Sequence, residues 1–348
     1  PLNTKVEGPV IIISLAIIVG FFFARKIGGT VAGFVAGLTI ALNTALLGRT
    51  PAGFSDTDAY LIFFPLLIFW TFFEALTAKS WKHKLLWSAA AGVSALGFKY
   101  VWVNWWHAGS ILAGVAGIYF TYTLVRTYTV HKHKQRNFLQ SPAGKTLAIS
   151  LVFLFSLTLL NILTGFANPN STLQGDLTGP TRDILLRPLG ALSVKGVATV
   201  DIWPNVLTTV AELNEGSWAQ IINSIGGKNG KLFFFLGVLG ILATLLLRTE
   251  DDSIEIRHLS LIGIWFFGLT LASLMSARFI ALLAAPFAIA FGALFGIIWT
   301  RGASLLKRHA DIPRLVTKIA VVLFLIILFI QPIRAAQSIA LNEVPSMN

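Results

Sequence analysis

Apolar runs long enough to cross a bilayer recur along nearly all of this 348-residue chain. A helical span needs about 20 mostly apolar residues, and inside hydrocarbon every backbone N–H and C=O must be satisfied within the spanning structure. Barrel strands are about half as long, so these runs read as helices. Ten are expected, at 9–25, 30–48, 60–78, 85–103, 110–126, 146–164, 232–248, 258–275, 277–299 and 317–335. Pro65, Pro286 and Pro332 fall inside three of them, which neighbouring helices in a membrane bundle accommodate. Only 12% of residues are charged, against roughly 25% in a soluble domain. The fold class is therefore an all-α membrane protein, a polytopic helical bundle of about ten transmembrane helices. Cysteine is absent, which excludes a disulfide framework, a thiolate metal site and a cysteine nucleophile.

The expected organisation is a transmembrane domain over 1–335, interrupted by one long external loop at 165–231, and an external tail at 336–348. The formal net charge of +12 reflects topology, not nucleic-acid binding. Alternate loops hold seventeen of the 27 basic residues, among them Arg25, Lys26, Lys82, Lys84, Lys132, Lys134, Arg136, Arg308 and Arg314. Basic loops mark the cytoplasmic face, and they are drawn further to anionic lipid. About nine of the fifteen acidic residues lie on the opposite face. An integral, multi-pass protein of the cell membrane follows, with both termini outside. Pro1 and Asn348 read as cut ends of a longer polypeptide.

On the outer face Arg49-Thr50-Pro51-Ala52-Gly53-Phe54-Ser55-Asp56-Thr57-Asp58 joins two apolar segments. Charge there needs a reason, and two readings stand. Asp58 caps the helix that begins near Tyr60, for about 1 kcal/mol, or Asp56 and Asp58 hold a divalent metal at the mouth of an active site. The long loop adds Glu212, the one acid between Asp201 and Glu215, set among small and apolar neighbours. It is either a solvated loop carboxylate or a third oxygen ligand. Three carboxylates without cysteine select a hard cation, Mg²⁺ or Mn²⁺. Lys99, at an outer helix end, reads as a snorkelling side chain, and Trp102, Trp105 and Trp106 read as part of the interfacial aromatic belt.

Three of these stretches resemble motifs of one family. Arg49-Thr50-x-Ala52-Gly53-x-x-Asp56-Thr57-Asp58 is similar to the second Asp-x-Asp motif of the catalytic subunit of asparagine-linked oligosaccharyltransferase. Thr209-Val210-Ala211-Glu212 resembles that family's Thr-Ile-x-Glu/Ser-Val-x-Glu motif in the corresponding external loop. Ala277-Arg278-Phe279-x-x-Leu282-x-x-x-Pro286 looks like the Arg-Phe segment that opens a late membrane helix. Each is weak alone, but order, spacing and sidedness agree, and the resemblance covers essentially the whole chain. Gly28-Gly29-x-Val31-Ala32-Gly33 and Ala41-Leu42-Asn43 are similar to archaeal members. The family's first Asp motif belongs before Pro1, and its Trp-Trp-Asp-Tyr-Gly motif belongs to a globular domain after Asn348; Trp105-Trp106-His107 is no substitute.

The resemblance implies a GT-C-type glycosyltransferase. It would move an oligosaccharide from a dolichyl phosphate or diphosphate donor to the amide of Asn in Asn-x-Ser/Thr on an acceptor polypeptide. It assigns Asp56 and Glu212 catalytic roles, Asp56, Asp58 and Glu212 the metal, Arg278 the lipid phosphate, and Thr209 to Glu212 the acceptor-facing loop. Arg278 is otherwise a snorkelling cation. The nearest rival is a polyprenyl-phosphate-sugar-dependent transferase acting on lipids or hydroxyls, which would not require the Thr-x-x-Glu segment. A glycan-lipid flippase is more distant, because transport needs ionisable groups near midplane and the unusual charges here lie at outer helix ends.

Overall fold

The computed structural model of the chain describes residues 4–48, 50, 57–102, 104–130, 138–167, 179–193, 215–247 and 256–343. Among the described residues there are helices and no strands. In order they are α1 (Thr4–Ala41), α2 (Thr44–Leu47), α3 (Asp58–Thr77), α4 (Trp81–Val101), α5 (Trp106–Val130), α6 (Pro142–Ala167) and α7 (Gly179–Ser193). They continue as α8 (Trp218–Gly226), α9 (Gly230–Ala243), α10 (Ile256–Met275), α11 (Ala284–Ile297), α12 (Ala303–Ala310) and α13 (Arg314–Glu343).

Eight helical runs are long and apolar enough to cross a membrane. The two further expected segments are present in other forms. The 34-residue run Gly8–Ala41 counts once, yet it breaks at Gly29, whose φ of 80° and ψ of −173° lie outside helical space. Only glycine adopts that conformation without strain. The chain reverses there, so Phe34 returns against Phe21 with ring centroids 5.1 Å apart, and Gly37 comes back beside Ile17. These are two antiparallel helices. α4, the other omission, carries Lys82, Lys84 and Lys99, but it lies along membrane-length α6 throughout. Ser88 donates to the Ile149 carbonyl, Gly92 abuts Phe153, and Lys99 donates to Asn161. Partners stay 61 or 62 residues apart, so the pair runs parallel and α5 makes the return pass.

The chain divides into two compact units, Pro1–Phe63 with Trp203–Asn348, and Phe64–Ile202. In the first, α11 is buried at every position from Ala284 to Ile297, as expected of a helix apolar all round. Its small residues admit close neighbours. A side chain at Gly296 would strike the Gly28 carbonyl, one at Gly292 the Ala32 carbonyl, and one at Gly240 the Ala290 carbonyl. Small residues that let backbones approach are the usual basis of helix association in lipid, where no hydrophobic force operates. The returning half of α1 thus runs antiparallel to α11, and α9 parallel to it, as the alternating loops require. Phe233 of α9 stacks on Phe291 at 5.4 Å, and Phe291 meets Phe295 edge to face at 5.0 Å.

In the second unit α5 and α6 pack together, and α7 lies on α5. Ser110 donates to the Ile184 carbonyl at 2.6 Å. Trp102 and Trp105 turn inward, with 4% and 3% of their surface exposed, so they are core residues at the helix ends and not a lipid-facing belt. Lys99 does not snorkel either. Its ammonium folds back to the Asn161 amide and over the Trp105 ring at 6.0 Å. The last helix continues to Glu343, beyond the expected end of the final segment at 335.

Gly296→Leu should separate α11 from α1 and cost about 1–3 kcal/mol or more through overpacking. A thermal unfolding midpoint in detergent that stays at the wild-type value would show that the close approach is not structural.

Candidate functional site

One end of the first unit collects the start of α1, the α1–α2 junction, the start of α3, the start of α8 and the turn between α10 and α11. Three interactions tie these elements. Asn43 accepts from the Leu46 N–H at 3.2 Å, capping α2, and its amide donates to the Ser224 carbonyl in α8 at 3.2 Å. The Tyr60 hydroxyl stands 3.8 Å from where a Gly8 side chain would begin. Gly216, just before α8, lies against the Ser273 carbonyl and the Ile280 side chain, on either side of Arg278.

α8 is fixed by a capping box. Ser217 accepts the Gln220 N–H at 3.2 Å, while the Ser217 N–H donates to the Gln220 side chain at 2.8 Å. This satisfies two N–H groups at the helix start. Ile221 and Ile225 are buried while Trp218 stays 52% exposed, so the helix is amphipathic and covers α9. Ser-x-x-Gln ahead of an apolar run is the sequence pattern of such a box.

Asp58 is the first residue of α3. The Thr57 carbonyl accepts from the Tyr60 and Leu61 N–H groups at 2.9 and 3.2 Å, which makes Thr57 the capping position. The expectation that Asp58 caps a helix starting near Tyr60 is therefore displaced by one residue. Its carboxylate, on a residue 8% exposed, still faces the positive end of the helix dipole, worth about 0.3–1 kcal/mol. Arg278 occupies a single tight turn, Ala277–Phe279, between α10 and α11, and is half-buried. The turn is closed by the Ser276 N–H to the Ala272 carbonyl at 2.9 Å and the Phe279 N–H to the Ser276 carbonyl at 3.1 Å.

Asp58, Gly216 and Arg278 thus belong to the same compact unit, and Gly216 lies against Ser273 and Ile280, the residues that flank the Arg278 turn. Asp56 and the Thr209-Val210-Ala211-Glu212 segment lie outside the described residues. Among the described residues no three His, Asp or Glu side chains gather as a metal site. The donor set expected for a cation, Asp56, Asp58 and Glu212, is oxygen only, which suits a hard divalent ion.

A multi-pass helical membrane protein with an acidic residue and an arginine at one end of its bundle is the class that fold and site define. Residues 8–336 match the family model described as oligosaccharyl transferase STT3, N-terminal, and the chain belongs to that family. Among curated relatives it is 28% identical over 292 residues to the dolichyl-phosphooligosaccharide-protein glycotransferase of Methanococcus voltae, covering 80% of this chain and 31% of that protein. The protein of the same description from Methanocaldococcus jannaschii is 30% identical over 202 residues, or 56% of this chain and 20% of the relative. The apo oligosaccharyltransferase of Archaeoglobus fulgidus has a similar fold, with a TM-score of 0.65 at 15% identity over 96% of this chain and 44% of that one. The same organism's enzyme in complex with an inhibitory peptide and a dolichol-phosphate gives 0.63, with the same identity and coverage. The chain spans less than half the length of these proteins.

Because the chain has no cysteine, single cysteines report sidedness. Thr57→Cys and Glu215→Cys should react with a membrane-impermeant maleimide from one face of sealed vesicles, and Lys82→Cys and Lys307→Cys from the other. Labelling of Thr57→Cys together with Lys307→Cys from one face would break the assigned topology.

Proposed function

We propose that this chain is the membrane part of an oligosaccharyltransferase that moves a glycan from a dolichyl phosphate or diphosphate to asparagine amides of Asn-x-Ser/Thr on the external face. The observation that carries the reading is the contact of Gly216 with both flanks of the Arg278 turn. It ties the chain that follows Thr209–Glu212 by four residues to the arginine expected to meet phosphate. Family membership supports the same assignment.

The chemical difficulty is the acceptor, since an amide lone pair is delocalised into its carbonyl and is a poor nucleophile. Asp56 and Glu212 would accept the amide N–H groups, which opposes that delocalisation and would hold the nitrogen in line with the sugar's anomeric carbon. Positioning of this kind lowers barriers by many kcal/mol. Arg278 offers the planar donor pair that matches phosphate oxygens and holds the donor's phosphate at the outer membrane boundary. Its setting in a closed backbone turn limits its movement. Asp56, Asp58 and Glu212 would hold Mg²⁺ or Mn²⁺, an ion that acts when bound as a Lewis acid for charge on the departing phosphate oxygens. The oligosaccharyltransferase of A. fulgidus also has a structure in complex with Zn and sulfate.

In the full-length enzyme, Glu212→Gln should lower peptide glycosylation by roughly 100-fold while the thermal midpoint is kept. Arg278→Ala should raise the donor-lipid concentration for half-maximal rate by roughly 10–100-fold, the worth of a charged hydrogen bond. Normal turnover in the first variant, or unchanged donor dependence in the second, would remove that residue from the site.

A further inference from the structure

At the opposite, basic end of the first unit, the connection from α11 to α13 concentrates positive charge on a fixed backbone. Arg301, Lys307, Arg308, Arg314 and Lys318 lie within eighteen residues that hold one acid, Asp311. Arg301, Lys307, Arg308 and Arg314 are all exposed. The backbone beneath them is regular: a wider helical turn at Ile298–Gly302 runs into α12, which stops where Asp311 turns left-handed at φ 54°. Arg301, Ser304 and Arg308, spaced three and four apart, share one face of this helix. Leu305 and Leu306 remain 43% and 40% exposed beside the cations.

The start of α13 is electrostatically frustrated. A helix N-terminus is itself positive and favours acidic residues, but this first turn holds none and begins with Arg314. Lys318 follows at i+4, a like-charge pair that is destabilising on a helix, and its ammonium is held 5.1 Å over the Trp299 ring. Between them the Thr317 hydroxyl is buried without a hydrogen-bond partner. Topological bias explains why basic residues lie on this face. It does not explain why two cations occupy the positive end of a helix, or why leucines are left exposed beside a third and a fourth.

We propose that this turn is a binding site for the phosphate of an anionic phospholipid in the leaflet on the basic side. The headgroup phosphate is held by Arg314, Lys318 and the free N–H groups at the start of α13, with Arg301, Lys307 and Arg308 completing the positive field. Leu305 and Leu306 enter the upper acyl region, so α12 lies in the interface as a short basic amphipathic helix does. Juxtamembrane cations of this kind contribute about 1 kcal/mol each toward anionic lipid. The inference is independent of the glycosyl-transfer reading, since it concerns the other face of the membrane.

The test is native mass spectrometry of the chain released from nanodiscs of phosphatidylcholine containing a minority of phosphatidylglycerol. Wild type should retain phosphatidylglycerol well above its share of the bilayer. The Arg314→Gln/Lys318→Gln pair should reduce that enrichment by roughly 30-fold, about two charges' worth. It should fold at least as well as wild type because the substitutions relieve repulsion, and the charge-conserving Arg314→Lys/Lys318→Arg pair should restore retention. Retention in proportion to bilayer composition, or enrichment untouched by the Gln pair, would overturn the proposal. So would displacement of the lipid by inorganic phosphate alone, which would show a site for free anions.

Discussion

Close backbone contact along α11 is the constraint on which the architecture depends. In lipid, apolar side chains gain nothing by leaving one hydrocarbon surface for another, so helices associate where their backbones can approach. The Gly28, Ala32 and Ala36 positions of the reversed first helix meet Gly292 and Gly296, and Gly240 meets Ala290. Burial of α11 on all sides follows from having such neighbours on more than one face. The turn that begins just before α11 carries Arg278, so the helix that orders the first unit also sets where its outer arginine sits.

The end of the first unit that carries Arg278 is tied together by contacts between its elements. A capped nine-residue helix, a side-chain bridge from Asn43 to Ser224 and the docking of Gly216 on the Ser273 carbonyl fasten the exit of the long external loop to the membrane bundle. Short helices and backbone contacts set the position of this part of the chain. Asp58 fits the same scheme. It sits in the first helical turn, one residue beyond Thr57, so a backbone element and not a mobile loop sets its position. In the second unit the inward fold of Lys99 onto Asn161 and Trp105 couples α4 to α6 near their outer ends, and the parallel register of those helices makes a polar-flanked α4 a true pass of the chain.

Segment lengths and loop charge made the helical bundle and its alternation legible before any coordinates, because hydrocarbon imposes those rules on each segment separately. The expected segments 9–25 and 30–48 already separated the first two passes, whereas Gly29 as the point of reversal and Ser217-x-x-Gln220 as the start of α8 stand out only from the structure. What depends on partners far away in the chain was not legible. Lys99 was read as snorkelling because nothing local announces Asn161, 62 residues on, and Trp102 and Trp105 looked like a belt because their burial is made by helices from elsewhere. Of the candidate site, motif and position singled out Arg278 and Asp58 as candidates, whereas the contact of Gly216 with the flanks of the Arg278 turn exists only in three dimensions.

The central claim is the proposal that the Thr209–Glu212 and Asp56–Asp58 segments and the Arg278 turn meet at one outward-facing point. Double-cysteine cross-linking measures this directly in a chain without native cysteine. With the protein in membranes, Ala211→Cys paired with Ser276→Cys, and Ala211→Cys paired with Thr57→Cys, should each be joined by a short bifunctional maleimide, while Ala211→Cys with Lys307→Cys should not. Failure of both outer pairs, with each single cysteine reactive on its own, would contradict the account.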